Sequence, residues 1–177
     1  MIKDMMVWLD GGISDEIRLA AVKWLDAQVV IGLFLNLLPL PGRIEGDATA
    51  EVIDHAREAG DLTEALLARQ LQQLGRPVEI RRFDALADDI ARIAAREARS
   101  ADCFATLRPN GAMDPERLIE GVLFGSGRHL YLVPETERPK IAFDRILIAW
   151  NGSREAARAL GESMPYRTRR RRSWSWW

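Results

Sequence analysis

Strand-like and helix-like segments alternate along the first 134 residues, and this alternation constrains the fold more than any other feature of the chain. The predicted strands are Ile2–Leu9, Val29–Leu38, Pro77–Phe83, Asp102–Leu107 and His129–Val133, with a helical pattern in each gap. Strands that alternate with helices predict a parallel sheet covered by helices on both faces. Right-handed crossovers limit the topology to a doubly wound sheet. We therefore predict an α/β, Rossmann-like, five-stranded parallel sheet in the order 3-2-1-4-5.

A sheet of this order predicts where a ligand site lies. Ligands bind in the crevice outside the carboxyl ends of the strands, at the point where the strand order reverses. Here that point lies between strands 1 and 4, so the turns Asp10–Gly12 and Arg108–Gly111 are expected to line it. Each turn has a second interpretation, since a glycine after a strand is also typical of a simple turn.

The chain also contains a partial internal repeat. Residues 143–158 resemble the opening of the chain: a strand-like run with a Trp near its end, then Asp-Gly or Asn-Gly, then a helix that carries Arg. An internal repeat indicates that a chain is built from repeated structural units, so we interpret it before other features. We predict four parts: a complete α/β domain over 1–134, a Pro-bounded linker over 135–142, the truncated start of a second such domain over 143–165, and an aberrant tail over 166–177.

These segments resemble the universal stress protein family. The resemblance lies in Lys3–Gly11, in the helix with Arg18-Leu19-Ala20-Ala21, in the strand with Gly32-Leu33-Phe34 and in the second opening with Asn151-Gly152-Ser153. It covers about residues 1–160 and is most specific in its tandem start. It implies a stress-response regulatory protein that binds adenine nucleotide, ATP or AMP, and that forms a homodimer through its last strand.

The resemblance also indicates site residues. The family's acid after the first strand, which contacts the nucleotide, corresponds to Asp10 here and to Asn151 in the second copy. In the family's glycine-rich phosphate loop after strand 4, Gly111 fits the second glycine, but Arg108 replaces the first and Val122 replaces a hydroxyl residue. The candidate nucleotide-binding residues are Asp10, Gly11, Gly12, Leu38, Gly111, Asn151 and Gly152.

The composition argues against several other classes of protein. Cys103 is the only cysteine and there are two histidines, so neither a disulfide nor a Cys- or His-based metal site is expected. No Ser-His-Asp or Cys-His constellation can be assembled, so we do not expect an enzyme. The longest apolar run, Val29–Leu40, is too short to span a bilayer, and no signal peptide opens the chain, which predicts a cytoplasmic protein without membrane attachment.

The last eleven residues, Arg167–Trp177, differ from the rest of the chain. They hold five of its 25 basic residues and no acid, which leaves 20 basic against 26 acidic side chains in the body. An acidic body is a poor nucleic-acid binder. We interpret the tail as a frameshifted translation of the next strand of the second domain. The alternative is a genuine basic and aromatic tail for nucleic acid or anionic lipid.

Three functions follow from the sequence. The first is a regulatory protein that senses adenine nucleotide, with the nucleotide over the ends of strands 1 and 4. The second is a dimeric interaction module without nucleotide binding, which the departures in the phosphate loop favour. The third is a nucleotide hydrolase on a related fold, for which no catalytic residues are visible.

Overall fold

The computed structural model describes residues 2–25, 27–40, 48–109, 113–135 and 146–164. Five strands and five helices, with a short 3-10 turn at Ala87–Asp89, make up the described chain. The strands are β1 (Asp4–Leu9), β2 (Val29–Leu37), β3 (Val78–Ala85), β4 (Cys103–Leu107) and β5 (His129–Val133). The helices are α1 (Asp15–Leu25), α2 (Ala48–Gln72), α3 (Ile90–Ala98), α4 (Met113–Gly125) and α5 (Arg154–Glu162).

The five strands form one sheet in the order β3-β2-β1-β4-β5, and every neighbouring pair is parallel. The centre of the sheet is β1, where Val7 lies opposite Gly32 of β2 and Ala105 of β4. This confirms the predicted fold class and strand order. In the described residues no helix is both long enough and apolar enough to cross a membrane.

Strand β1 is apolar from Met5 to Leu9 because helices cover both faces of the sheet. Met5, Val7 and Leu9 point to the face covered by α1 and α2, where they pack with buried residues of those helices such as Leu67. Met6 points to the opposite face, where the core includes residues of α3 and α4. Side chains alternate between the faces of a strand, so one short segment supplies both cores.

Two boundaries differ from the prediction near the second and third strands. Strand β2 ends at Leu37, so Leu38 follows it, although its N–H still donates to the carbonyl of Ala85 at 2.9 Å. Strand β3 continues to Ala85 because it stays paired with β2, and helix α3 therefore begins only at Ile90. Pairing with a neighbouring strand is decided by tertiary structure, which a local pattern does not contain.

Helix α2 runs without interruption through Gly60, although a glycine inside a helix often marks a break. A Cβ at this glycine would lie 2.5 Å from Asn36 Nδ2 and 2.6 Å from Arg82 Nη2. The missing side chain therefore makes room for two polar groups that reach the helix from the sheet. Close approach, and not a helix break, explains this glycine.

Of the two elements predicted after residue 143, the helix forms and the described part of the strand does not. Helix α5 forms as predicted, and Ser153 caps it by accepting the N–H of Ala156. The part of the predicted strand that is described, Ile146–Trp150, is not in a strand, so the prediction is wrong for these residues. A strand needs a partner to satisfy its backbone groups, and the described sheet ends at β3 and β5 without pairing to this segment. Residues 136–145, Gly111 and the tail from residue 165 lie outside the described residues.

Candidate functional site

A cavity of about 280 Å³ opens at the carboxyl ends of β1 and β2, between α2 and the start of α3. Its wall combines apolar side chains with three polar ones; the lining residues are Trp8, Asp10, Phe34, Leu35, Asn36, Leu37, Ala59, Thr63 and Ile90. The sequence placed the site at this edge of the sheet but between β1 and β4. The described cavity lies instead on the β2 side of β1.

The loop after β1 is held in a fixed shape by its own backbone donors. Gly11 has φ of +79°, a conformation that favours glycine. The N–H of Gly12 donates to Asp10 Oδ1 at 2.8 Å, which forms an Asx turn. Asp15 accepts the N–H of Asp10 at 3.3 Å and that of Gly11 at 2.8 Å. These bonds fix the direction of the Asp10 carboxylate at the cavity wall.

Arg18, on helix α1, holds this loop through ion pairs with two carboxylates. Its side chain is 4% exposed and forms ion pairs with Asp10, at 2.9 Å, and with Asp15, which is 1% exposed. Its guanidinium carbon lies 4.7 Å from the ring centroid of Trp8, a cation–π contact. The sequence indicated Arg18 only as part of a helix; the i,i+3 spacing of Asp15 and Arg18 is the local signal for a pair.

The electrostatics of this group follow from burial and pairing. Burial alone would raise the pKa of Asp10, but the hydrogen bond and charge of Arg18 outweigh it and the pKa is lowered. Burial raises the pKa of Asp15, and Arg18 offsets this only in part. For Arg18 itself, burial lowers the pKa but the two carboxylates more than compensate, so the pKa is raised and the guanidinium stays charged. Asp10 is therefore an ionised acceptor at neutral pH.

Asn36 and Thr63 also line the cavity. Asn36, on β2, donates through Nδ2 to the carbonyl of Ala56 at 3.1 Å and to Asp84 Oδ1 at 2.8 Å. Thr63, on α2, donates its hydroxyl to the carbonyl of Ala59 at 2.9 Å. Sequence reasoning missed both residues because neither belongs to a local motif; the parallel pairing of β2 with β3 and the packing of α2 bring them to the site.

Of the seven predicted site residues, Asp10 alone lines the described cavity. Gly11 and Gly12 belong to the loop that carries Asp10, and Leu38 directly follows strand β2. Asn151 and Gly152 lie just before helix α5, where they repeat the conformation of Asp10 and Gly11. Gly152 has φ of +76°, and Asn151 Oδ1 accepts the N–H of Ser153 at 3.0 Å. Gly111 lies outside the described residues.

Metal binding has no geometric support in the part of the chain that the structure describes. No group of three His, Cys, Asp or Glu side chains there comes close enough to hold an ion. Cys103 is buried in β4.

The fold and the crevice define a doubly wound α/β protein with a small cavity at the carboxyl edge of its sheet. No protein-family model and no curated protein matches the sequence. Solved structures do match. A universal stress protein from Archaeoglobus fulgidus DSM 4304 superposes with a TM-score of 0.67 at 18% identity, over 94% of this chain and 63% of that one. This chain thus spans less than two thirds of that protein.

Two further solved structures cover about three quarters of this chain. A hypothetical protein whose biochemical function was assigned from its structure gives a TM-score of 0.56 at 19% identity, over 75% of this chain and 95% of that one. The universal stress protein UspA from Lactobacillus plantarum gives 0.54 at 9% identity, over 74% and 97%. The chain has the fold of the universal stress proteins, and in fold the resemblance seen in the sequence is confirmed.

Proposed function

We propose that this chain is a member of the universal stress protein family, a regulatory protein that binds adenine nucleotide, ATP or AMP, without catalysing a reaction on it. The observation that carries the proposal is the cavity at the carboxyl edge, where the ring of Trp8 and the carboxylate of Asp10 lie in one wall. Apolar pockets with a few convergent polar groups are the usual form of a small-molecule site.

Asp10 supports binding of a group that donates hydrogen bonds. Its side chain is 38% exposed, and Gly12 and Arg18 each engage one of its two oxygens. An ionised carboxylate accepts about four hydrogen bonds, so lone pairs remain for a ligand. Ribose hydroxyls and the exocyclic amine of adenine are donors of this kind.

The size of the cavity suggests which part of a nucleotide it holds. At about 280 Å³ it lies just below the range of roughly 300–1,000 Å³ that is typical of small-molecule pockets. It suits a base with part of its sugar, which leaves the phosphates outside. The predicted phosphate turn with Gly111 lies beyond the described residues, so the proposal for the phosphates depends on the sequence alone.

Calorimetric titration with AMP and ATP tests this function. We expect saturable binding of both by the natural chain and weaker binding by Asp10→Asn, which keeps the shape of the side chain but loses its charge. Asp89→Asn, an exposed acid outside the cavity, is the matched control. ATP incubated with the protein should remain intact by chromatography. Absence of binding at millimolar nucleotide would refute the proposal and favour the interaction module.

An interaction through β5 is a second candidate, and the two edges of the sheet favour it. Edge strand β3 carries Glu79, Arg81 and Arg82, and charged edges oppose pairing with another sheet. Edge strand β5 has the sequence HLYLV, without Asp, Glu, Lys or Arg, and Leu132 is 42% exposed. We propose that a homodimer forms through β5, whether or not nucleotide is bound.

For the domain organisation we propose one complete domain over 1–134 and the start of a second over 143–165. Structures that match nearly whole cover about 75% of the 177 residues, which is about 133 residues and equals the length of the first predicted domain. The longer structure matches over 94%. The repeated Asx turn at Asp10 and Asn151 supports the same division.

A further inference from the structure

Three polar side chains reach the cavity wall, and the structure leaves them mainly as acceptors. Asp10 is an ionised carboxylate with no proton to donate. Both N–H groups of Asn36 are used, one by Ala56 and one by Asp84. The hydroxyl proton of Thr63 is used by Ala59. Among the described residues that line the cavity, the remaining side-chain donor is the indole N–H of Trp8.

The orientation of Asn36 is fixed by its partners. If the amide were reversed, its oxygen would face the carbonyl of Ala56 and the carboxylate of Asp84, which are both acceptors. Asp84 also accepts from Arg82 Nη2 at 3.0 Å. Burial would raise the pKa of Asp84, but the bonds from Asn36 and Arg82 lower it, so Asp84 remains an acceptor at neutral pH. The Oδ1 atom is thus the part of the Asn36 amide that is left for a ligand.

We propose that Asn36 is a specificity-determining residue, and that the cavity selects a planar heterocycle that presents an amine and discriminates against one that presents a carbonyl at the same position. The inference depends on the proposed function, since it concerns the ligand of the same cavity. An amine finds acceptors in Asp10, Asn36 and Thr63. A carbonyl oxygen in its place meets oxygen lone pairs and loses the hydrogen bonds it had in water.

The test compares two ligands that differ only at this position, AMP with a 6-amino group and IMP with a 6-oxo group, by calorimetric titration of the full chain. One lost hydrogen bond together with an unsatisfied oxygen predicts on the order of tenfold or more weaker binding of IMP. Equal affinities, or tighter binding of IMP, would overturn the inference and leave the proposed function standing. If neither ligand binds, the proposed function fails and the inference fails with it.

A pair of variants tests the role of Asn36 itself. Asn36→Leu keeps the approximate volume of the side chain and removes the Oδ1 acceptor, so we expect weaker binding of AMP and a preference over IMP that falls to less than about threefold. Asp61→Asn is the matched control: Asp61 pairs with Arg82 but does not contact Asn36, so the preference should be kept. Circular dichroism checks that both variants fold. An unchanged preference in folded Asn36→Leu would overturn the assignment to Asn36.

Discussion

Replacing Arg18 with Met tests whether the loop after β1 is held by its buried ion pairs. The Arg18 side chain is 4% exposed, and its partner Asp15 is 1% exposed, so the change leaves a charge in the interior with no counterion. Removal of one partner of a buried pair typically costs about 3–5 kcal/mol. Met retains most of the volume beside Trp8, so the loss measures the charge more than the packing. We expect the free energy of unfolding to fall by this amount at pH 7.

The pH dependence of this loss checks its cause. The folded-state pKa of Asp15 is above its ordinary value of 3.8, so its contribution to stability is present in acid and lost as the pH rises through the folded pKa. Without Arg18 that pKa rises further. Asp10 has a lowered pKa because of Arg18, and the stability that this provides above pH 3.8 disappears in the variant. Both effects make the difference in free energy of unfolding between the natural chain and Arg18→Met smaller as the pH falls from 7 toward 4.

Urea unfolding followed by circular dichroism at several pH values measures the loss of unfolding free energy in Arg18→Met and the dependence of that loss on pH. The control is Arg92→Met, since Arg92 is 67% exposed and pairs only at the surface with Asp89. Surface pairs contribute about 0–1 kcal/mol. A loss below about 1 kcal/mol for Arg18→Met at pH 7, or a loss that grows in acid, would refute the argument.

Three further outcomes are expected. Gly11→Ala should lower the free energy of unfolding by about 1–2 kcal/mol because of its φ of +79°, and by about 1–3 kcal/mol more because the new Cβ lies 2.4 Å from Thr63 Cγ2. Gly75→Ala is the control, since Gly75 has φ of +67° but open space around it, and should lose only the first amount in urea unfolding. Light scattering should show a dimer for the natural chain and a monomer for Leu132→Lys, and a natural monomer would contradict pairing through β5. Brief trypsin digestion should cut after Lys140, since the bond after Arg138 precedes Pro139 and resists trypsin, and should leave a resistant fragment of about 140 residues by mass spectrometry; early cuts inside α2 would contradict the domain division.

The sequence predicted the fold well because the fold depends on patterns that are local. Nearly continuous apolar runs such as Val29–Leu37 are typical of strands covered on both faces, and five strands separated by helices leave few topologies. Asp10 was found for the same reason, since it follows directly on a strand at the carboxyl edge. The predicted strand around Ile146–Trp150 shows the limit of such patterns, because a strand requires a partner.

The remainder of the site depends on contacts between residues far apart in the chain. Asn36 and Asp84 are 48 residues apart and meet because β2 and β3 pair in parallel register. Thr63 meets Gly11 because α2 packs on the same face of the sheet as α1. Arg18 is close in sequence, but only burial distinguishes it from the many surface arginines of the chain. Neither the Asn36–Asp84 pair nor the position of Thr63 has a signal in a short window of residues, and Arg18 has only its i,i+3 spacing from Asp15.

The most direct test of the account is to follow the backbone amides of the isotope-labelled chain by NMR during titration with AMP. We predict saturable shifts centred on the Asp10–Gly12 loop, Asn36 and Thr63, with one dissociation constant for all three. Shifts that are absent at millimolar AMP, or that cluster away from the carboxyl ends of β1 and β2, would contradict it.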